Sequence, residues 1–392
     1  MIAMERPSSI PATGPLSSSE VAVLHIGFAF SGVVTTLLGP LLPVLSSKWA
    51  LSDTQAGYLF VAQFLGSTVG VILCGVFISR RGFRRSLQVG YGLLAAGMAA
   101  LGIMAWPALL GAVSCYGLGL GLTLPATNVL VSEMNPQRRA AALSVLNLLW
   151  SIGAVVSPPL VAALILPGAR TGRLLGLAAM CAGVALCLPQ ERASAGDRSS
   201  DGRVAARFRL HDGLPRLTAV FGAMFFLYVG AENAVAGWAA TLAHRLSQAP
   251  GVSWELAPSL FWFALLLGRA VTPKVLRHVP EPKLCLAGLL TACLGVAALL
   301  ASNTVLGAFI GVSLAGLGLA SVFPILIAAL TRRFGSSAYQ VAGPMFALAG
   351  LGGAVLPWMV GFLSSQLGSL RAGLAIPLLA TLTMVVLQLT SE

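Results

Sequence analysis

Long apolar stretches recur along the whole chain, and they limit its possible folds more than any other feature. Each is roughly 20 residues long, which lets a helix cross about 30 Å of hydrocarbon. Because backbone N–H and C=O groups find no partners in lipid, such stretches cross it as helices. We therefore predict an all-α membrane protein of twelve transmembrane helices, spans 1 to 12. Their approximate ranges are 21–45, 54–79, 86–105, 107–132, 140–166, 171–188, 216–245, 255–277, 283–301, 304–331, 338–365 and 370–389.

The charged residues are few and alternate by loop. Apolar residues make up 57% of the chain and charged ones 9%, with a formal net charge of +12. Seventeen Lys and Arg fall in every second loop, the long linker included, and five fall in the loops between. Under the positive-inside rule the rich loops and both termini are cytoplasmic. This pattern predicts a multi-pass inner-membrane protein in a lipid bilayer and gives no reason to expect a nucleic-acid partner.

Two polar segments divide the chain. Residues 1–20 are predicted to be a disordered cytoplasmic tail, and residues 189–215 a cytoplasmic linker. The linker separates an N-terminal six-helix bundle, 21–188, from a C-terminal six-helix bundle, 216–392. A repeat 199 residues apart relates spans 4 and 10: it pairs Val113, Ser114, Gly117, Leu118, Gly119, Leu120 and Pro125 with Val312, Ser313, Gly316, Leu317, Gly318, Leu319 and Pro324. Such repeats are typical of secondary transporters that bind substrate between the halves.

The loop after span 2 carries a glycine and arginine motif. It contains Gly75, Arg80, Gly82, Arg84 and Arg85, and it resembles the loop signature of the major facilitator superfamily. That resemblance implies a gating role for these five residues. Ser79 stands where the signature has an aspartate, so the acid expected to lock the loop against a neighbouring helix is missing.

Three further segments resemble the fucose, glucose and galactose permease branch of that superfamily. They contain Tyr228, Gly230, Glu232, Gly237 and Trp238; Phe261, Trp262, Gly268 and Arg269; and Arg139, Leu146, Asn147, Trp150, Gly153 and Pro158. The resemblance implies a symporter for a hexose or deoxyhexose. Proton-coupled members are expected to carry acids in spans 1 and 4, where this chain has His25 and Asn128. Coupling to a proton, coupling to sodium and uncoupled transport therefore all remain open.

One carboxylate lies near the middle of a predicted span. A charge in hydrocarbon costs several kcal/mol unless it is paired or hydrated, which makes Glu232 a functional candidate. Arg269 in span 8 is its natural partner, and the pair is predicted to serve coupling, with a purely structural ion pair as the alternative. His25 is a third candidate for coupling, because histidine titrates near neutral pH. It lies only a few residues into span 1, so placement at the membrane interface is the alternative.

Amide and aromatic side chains are the candidates for substrate binding, because together they suit the hydroxyls and the apolar face of a sugar. Tyr228 and Glu232 share a helix face, with Asn233 beside them. The predicted substrate-binding residues are Gln63, Asn128, Asn147, Trp150, Tyr228, Asn233 and Trp238. For the asparagines the alternative is interhelical hydrogen bonding, and for the tryptophans packing.

Other functions remain as alternatives. A drug or metabolite exporter would share this architecture, and a non-transporting receptor or scaffold could use the same fold. An enzyme is not expected, because the sequence lacks a zinc-protease, nucleophile-elbow or phosphate-loop motif. We expect a monomer that binds a small-molecule substrate, with neither metal nor cofactor beyond a coupling proton or sodium ion.

Overall fold

The computed structural model describes residues 18–165, 171–188, 215–247, 253–335 and 338–390. The predicted tail up to residue 17, and the linker from 189 to 214, lie outside these ranges. Helices of the first half are α1 (Ser18–Thr36), α2 (Leu38–Trp49), α3 (Asp53–Ile103), α4 (Leu109–Met134), α5 (Arg139–Leu164) and α6 (Leu174–Cys187). Those of the second half are α7 (Pro215–Leu246), α8 (Ala257–Val275), α9 (Glu281–Ala301), α10 (Val305–Leu319), α11 (Val322–Phe334), α12 (Ala338–Leu367), α13 (Leu370–Gly373) and α14 (Ala375–Thr390).

Helix α3 is two spans joined by one glycine. Its 51 residues would extend about 76 Å as a straight helix, more than twice the roughly 30 Å of hydrocarbon. Gly82 interrupts it with φ 80° and ψ 168°, a backbone conformation that only glycine adopts without a steric cost. The turn at Gly82 therefore separates span 2 from span 3.

The twelve-span fold predicted from the sequence is confirmed. In the described part of the chain, ten helical segments are long and apolar enough to cross a membrane, and Thr171–Cys187 is a shorter apolar one. The second arm of α3 and this short helix bring the number of spans to twelve. Span 1 is α1 with α2, span 10 is α10 with α11, and span 12 is α13 with α14.

Prolines explain the breaks within spans 1 and 10. Helix α1 ends at Thr36, and Pro40 cannot donate a hydrogen bond to the Thr36 carbonyl four residues before it. Pro324 stands in the same relation to Ala320, between α10 and α11. Pro125, the repeat equivalent of Pro324, lies inside the uninterrupted helix α4. Matched prolines thus break one of the two equivalent helices only.

The two halves repeat the same helix packing. A Cβ on Gly117 in span 4 would collide with the Gln63 carbonyl in span 2, and a Cβ on Gly316 in span 10 with the Phe261 carbonyl in span 8. Spans 5 and 11 show a second matched pair of close approaches, Gly153 against Ala29 and Gly352 against Phe226. The structure therefore consists of two six-helix repeats.

The two ends of the helix bundle are distinguished by the positions of the chain termini and the loops. Because the number of spans is even, the first and last described residues, Ser18 and Thr390, lie at the same face, here called the termini face. The turn at Gly82 is also there. The opposite face, which carries the loop between Trp49 and Asp53 and the end of α7, is called the distal face.

Candidate functional site

The two halves meet along three pairs of spans, which are 1 with 7, 2 with 11 and 5 with 8. Small residues permit close approach along this seam. A Cβ on Gly353 in span 11 would collide with the ring of Phe64 in span 2. Between spans 5 and 8 the Ser259 hydroxyl donates to the Val155 carbonyl at 2.9 Å. Any cavity on this seam is shared by both halves.

An ion pair closes the seam at the distal face. Asp53 at the start of span 2 accepts hydrogen bonds from both terminal nitrogens of Arg245 in span 7, at 2.5 Å and 3.0 Å. The Ser364 hydroxyl of span 11 donates to the same carboxylate. The backbone N–H of Thr54 donates to the Ser365 hydroxyl at 2.9 Å. One carboxylate of the first half thus contacts two spans of the second.

Trp238 fills the seam beneath this ion pair. Its side chain is fully buried, and its indole N–H donates to the Pro357 carbonyl at 2.9 Å. The Phe60 ring of span 2 packs against it, with the ring centroids 6.2 Å apart. The residue predicted to bind substrate therefore lies in the distal closure.

The seam opens towards the termini face. On the span 5 face that carries Asn147, the side chains near the termini face, Ser144 and Asn147, are exposed. One and two turns further on, Ser151 and Ala154 are buried. Span 11 shows the same change between exposed Phe346 and buried residues 352–354. The structure is therefore closed at the distal face and open at the termini face.

The predicted gating residues lie at this open end. A Cβ on Gly75 would meet nothing within 4 Å. Arg80 and Arg85 are exposed, and the Nε of Arg84 donates to the Leu188 carbonyl of the same half at 3.3 Å. The hydroxyl of Ser79, which replaces the signature aspartate, donates to the Val76 carbonyl one turn before it. None of these contacts crosses to the second half.

A small cavity marks the closed tip of the seam. Its volume is about 20 Å³, room for roughly one water molecule. Amides from both halves line it, Gln63 of span 2 and Asn233 of span 7. The other lining residues are Thr35, Thr36, Leu38, Gly39, Phe60, Phe64, Ala236, Gly237 and Trp262. Amide, hydroxyl and aromatic side chains from both halves thus meet at one point of the seam.

Two of these predicted residues are held by neighbours. Gln63 accepts a hydrogen bond from the Tyr116 hydroxyl at 2.9 Å and donates to the Thr35 carbonyl at 2.9 Å. Trp150 of span 5 meets Trp262 of span 8 edge to face, with the centroids 5.7 Å apart. The tryptophan pair joins the halves beside the cavity. These two side chains are therefore fixed by contacts with their neighbours.

Glu232 and Arg269 form the ion pair suggested by their sequence positions. An Arg269 terminal nitrogen lies 3.3 Å from the Glu232 carboxylate, and the Tyr228 hydroxyl lies 3.2 Å from the same oxygen. That nitrogen also donates to the Tyr228 hydroxyl at 3.3 Å. Only 11% of the Glu232 side chain and 30% of the Arg269 side chain is exposed. Because an unpaired buried ion costs several kcal/mol, each charge depends on the other.

An aromatic cluster surrounds this ion pair on one side. Tyr228 packs on Phe323 at 5.3 Å between centroids, and Phe323 lies near Phe346 at 6.5 Å. Phe225 contacts both phenylalanines. Phe346 is 48% exposed, at the open side of the seam. Tyr228 itself is buried, so the cluster rather than its hydroxyl faces the opening.

The remaining predicted residues lie apart from the cavity tip. Asn128 and Asn147 each donate to the carbonyl four residues earlier, at 2.8 Å and 2.9 Å. Asn233, which does line the cavity tip, donates in the same way to the Val229 carbonyl within span 7. His25 bonds to the Val21 carbonyl at 2.7 Å and lies in a groove on the outer side of spans 1, 5 and 6. The structure does not bring His25 together with Glu232 and Arg269.

Sequence reasoning missed several residues at the seam. Asp53 was one of many loop acids, and its partner is 192 positions away. Thr35, Thr36, Phe60 and Phe64 look like ordinary span residues. One signal in the sequence could have identified Asp53 and Arg245 as a pair: acidic and basic residues are both scarce in the loops of the distal face.

Known proteins resemble the chain over nearly its whole length. A glucose/galactose transporter of Brucella abortus is 25% identical over 398 residues, covering 92% of this chain and 93% of the relative. The 3-(3-hydroxy-phenyl)propionate transporter of Escherichia coli is 30% identical over 379 residues, covering 92% and 88%. Each alignment thus covers at least 88% of both proteins.

Solved structures share the fold. The nucleoside transporter NupG superimposes with a TM-score of 0.77 at 13% identity, covering 95% of this chain and 98% of that one. The Escherichia coli fucose:proton symporter FucP gives 0.61 at 19% identity, covering 96% and 100%. Residues 24–340 match the family model described as the Major Facilitator Superfamily. The chain therefore belongs to the Major Facilitator Superfamily, and it is a multi-pass membrane transporter rather than an enzyme.

Proposed function

We propose that this transporter moves a hexose or deoxyhexose across the inner membrane by alternating access, coupled to a proton carried by Glu232. The excess of Lys and Arg in loops of the termini face assigns that face to the cytoplasm. The described state is then open to the cytoplasm. We further propose that the transporter works as a monomer, since each chain holds a complete seam between its two halves.

The composition of the cavity tip carries this proposal. Gln63 and Asn233 offer amide groups from opposite halves, and the Trp150–Trp262 pair offers apolar rings beside them. Amides match sugar hydroxyls, and an aromatic ring matches the C–H face of a pyranose. A sugar that contacts both halves would draw them together. That is what alternating access requires of its substrate.

The coupling proposal depends on the Glu232–Arg269 pair. Asn233, which lines the cavity tip, follows Glu232 directly in span 7. Protonating the carboxylate would remove one charge from the pair and release the arginine nitrogen now 3.3 Å away. His25 lies in the outer groove instead, so we assign coupling to the ion pair. A sodium ion at the carboxylate is the competing assignment.

Uptake by proteoliposomes tests substrate and coupling together. We expect a pH gradient to drive hexose accumulation by the wild type. Glu232→Gln should lose accumulation but keep sugar exchange at equal pH, because the amide preserves the side-chain shape and cannot carry a proton. Glu281→Gln is the matched control, since Glu281 pairs with Arg332 elsewhere in the second half. Accumulation by Glu232→Gln that equals the wild type would overturn the coupling assignment, and accumulation driven only by a sodium gradient would replace the proton.

A second substrate class has its own support. The relative named as a 3-(3-hydroxy-phenyl)propionate transporter is more identical to this chain than the sugar transporter is. Arg269 beside the Tyr228–Phe323 stack could bind a carboxylate and an aromatic ring. An aromatic acid is therefore the alternative substrate, and it would use the cluster within the second half rather than the seam.

Thermal stabilisation of the purified protein separates these classes. The panel contains hexoses, aromatic carboxylates and amphipathic cations. Selective stabilisation by a hexose, lost in Asn233→Ala and kept in Asn128→Ala, supports the sugar site. Stabilisation only by an aromatic acid, lost in Arg269→Gln, would replace it. Stabilisation only by amphipathic cations would instead favour a drug exporter.

A further inference from the structure

A long groove lies on the outer surface of the first half, away from the seam. It runs between spans 1, 5 and 6 and has a volume of about 770 Å³. Ile26, Phe30 and Ile152 are among its lining residues, and nearly all the others are apolar too. Helices of three spans enclose it.

The groove is long enough to hold a lipid tail of one leaflet. On span 5 it extends from Leu149 to Leu164, which is about 22 Å along a helix. One leaflet contributes only about 15 Å, half of the roughly 30 Å of hydrocarbon. Gly176 of span 6 also lines the groove, and a Cβ there would meet nothing within 4 Å. An acyl chain that enters from the distal face could therefore lie in the groove down to the middle of the bilayer.

Cations gather at the distal end of this groove. Arg173 lines it and donates one of its N–H groups to the Leu164 carbonyl at 2.8 Å. Lys48 donates to the Thr171 hydroxyl at 2.8 Å, two residues before Arg173. Arg170 belongs to the same loop in the sequence. The side chains of Lys48 and Arg173 are thus bonded to Thr171 and Leu164, on either side of the loop between spans 5 and 6.

This clustering runs against the charge distribution of the molecule. The distal loops are otherwise poor in Lys and Arg, as the positive-inside rule requires. Asp53, the nearest acid along the sequence from Lys48, is paired with Arg245 across the seam. Guanidinium and ammonium groups both bind phosphate.

We propose that the groove binds an anionic glycerophospholipid of the distal leaflet. Its phosphate would contact Lys48 and Arg173, and one acyl chain would lie between spans 1, 5 and 6. A zwitterionic lipid could use the same apolar groove, but it would gain less from the two cations. The charge of the headgroup therefore determines which lipid is selected, and the acyl chain supplies the apolar contacts.

Native mass spectrometry of the full chain in detergent tests this. The probes are phosphatidylglycerol and phosphatidylcholine with identical oleoyl chains. We expect phosphatidylglycerol to bind the wild type about twentyfold more tightly, which corresponds to two cations near the headgroup. Lys48→Gln combined with Arg173→Gln should bring the two lipids to equal affinity, because it weakens the binding of phosphatidylglycerol far more than that of phosphatidylcholine.

A glycine pair supplies the matched steric control. Gly176→Phe fills the groove, whereas Gly183→Phe adds the same ring to the same helix outside it, and a Cβ at either position would meet nothing within 4 Å. We expect Gly176→Phe to lose both lipids and Gly183→Phe to keep them. Equal affinity of the wild type for both lipids would overturn the headgroup assignment. Retention of phosphatidylglycerol by Gly176→Phe, or its equal loss from both glycine variants, would overturn the groove.

Discussion

The distal and termini faces of the seam are built differently. At the distal face, Asp53 reaches Arg245 and Ser364 of the other half, and Trp238 is buried below them. At the termini face, the turn at Gly82 has arginines around it but Ser79 in place of an acid. A carboxylate that crosses the seam is present at one face and missing from the corresponding motif at the other. The closed distal end of the seam is thus bridged by a carboxylate, and the motif at the open end has none.

Packing contributes more than charge to the distal closure. The side chain of Arg245 is 44% exposed, and ion pairs in such settings stabilise by about 0.2–1 kcal/mol. Full burial of a large aromatic residue stabilises by several times as much. Trp238 packs across the seam on Phe60 and bonds to Pro357 within its own half. We infer that its packing across the seam contributes more to the closure than the ion pair does, whereas Asp53 fixes which side chains meet there.

Trp238→Ala is expected to have the largest effect on the closure. Loss of a fully buried tryptophan costs about 3–5 kcal/mol, and the Pro357 carbonyl also loses its donor. Thermal unfolding in detergent should show a large drop in midpoint. Trp49→Ala, which removes a partly exposed ring of the distal face away from the closure, should cost clearly less. An equal drop in the unfolding midpoint of both variants would show that Trp238 contributes no more to stability than a partly exposed ring does.

Asp53→Asn should open the distal face to a moderate extent. Loss of about 1 kcal/mol from the closed state corresponds to a roughly fivefold larger open fraction. The measurement is alkylation from the distal side of a cysteine at position 233, in protein whose native cysteines are replaced. Glu281→Gln breaks an ion pair inside the second half and should leave the rate unchanged. An unchanged alkylation rate in Asp53→Asn would show that the Asp53–Arg245 ion pair does not hold the distal face closed.

Ser79→Asp is expected to shift the same balance from the other face, by the smallest amount. The acid would restore the superfamily signature and favour closure of the termini face, which opens the distal one. We expect a two- to threefold faster alkylation at position 233, since the turn is exposed and such charges contribute little. Ser79→Asn, similar in size and without charge, should resemble the wild type. A slower reaction in Ser79→Asp would contradict the assigned role of this turn.

Much of this fold could be predicted because its causes are local. Hydrocarbon thickness sets the span lengths, and the Gly82 turn follows from a glycine between two apolar runs. The cost of a lone buried charge made Arg269 the expected partner of Glu232, and the structure places them together.

The rest depended on information that one sequence does not carry. The sequence does not show whether His25 and Trp238 face lipid or the interior of the bundle, because both faces of a span are equally apolar. Asp53 could not be matched with Arg245, because loop charges give no distance across 192 positions. Which face is closed depends on small free-energy differences between two packed states of the same chain.

Spin-label distances across both faces test the central claim most directly, namely that the halves rock about a seam closed at the distal face. One pair would be at Ser47 and Leu367 of the distal face, and the other at Arg80 and Arg333 of the termini face, all exposed. Without substrate we predict a short distal and a long termini-face distance. On adding the stabilising solute, the distal distance should lengthen as the termini-face distance shortens. Two distances that stay fixed, or change in the same direction, would contradict the account.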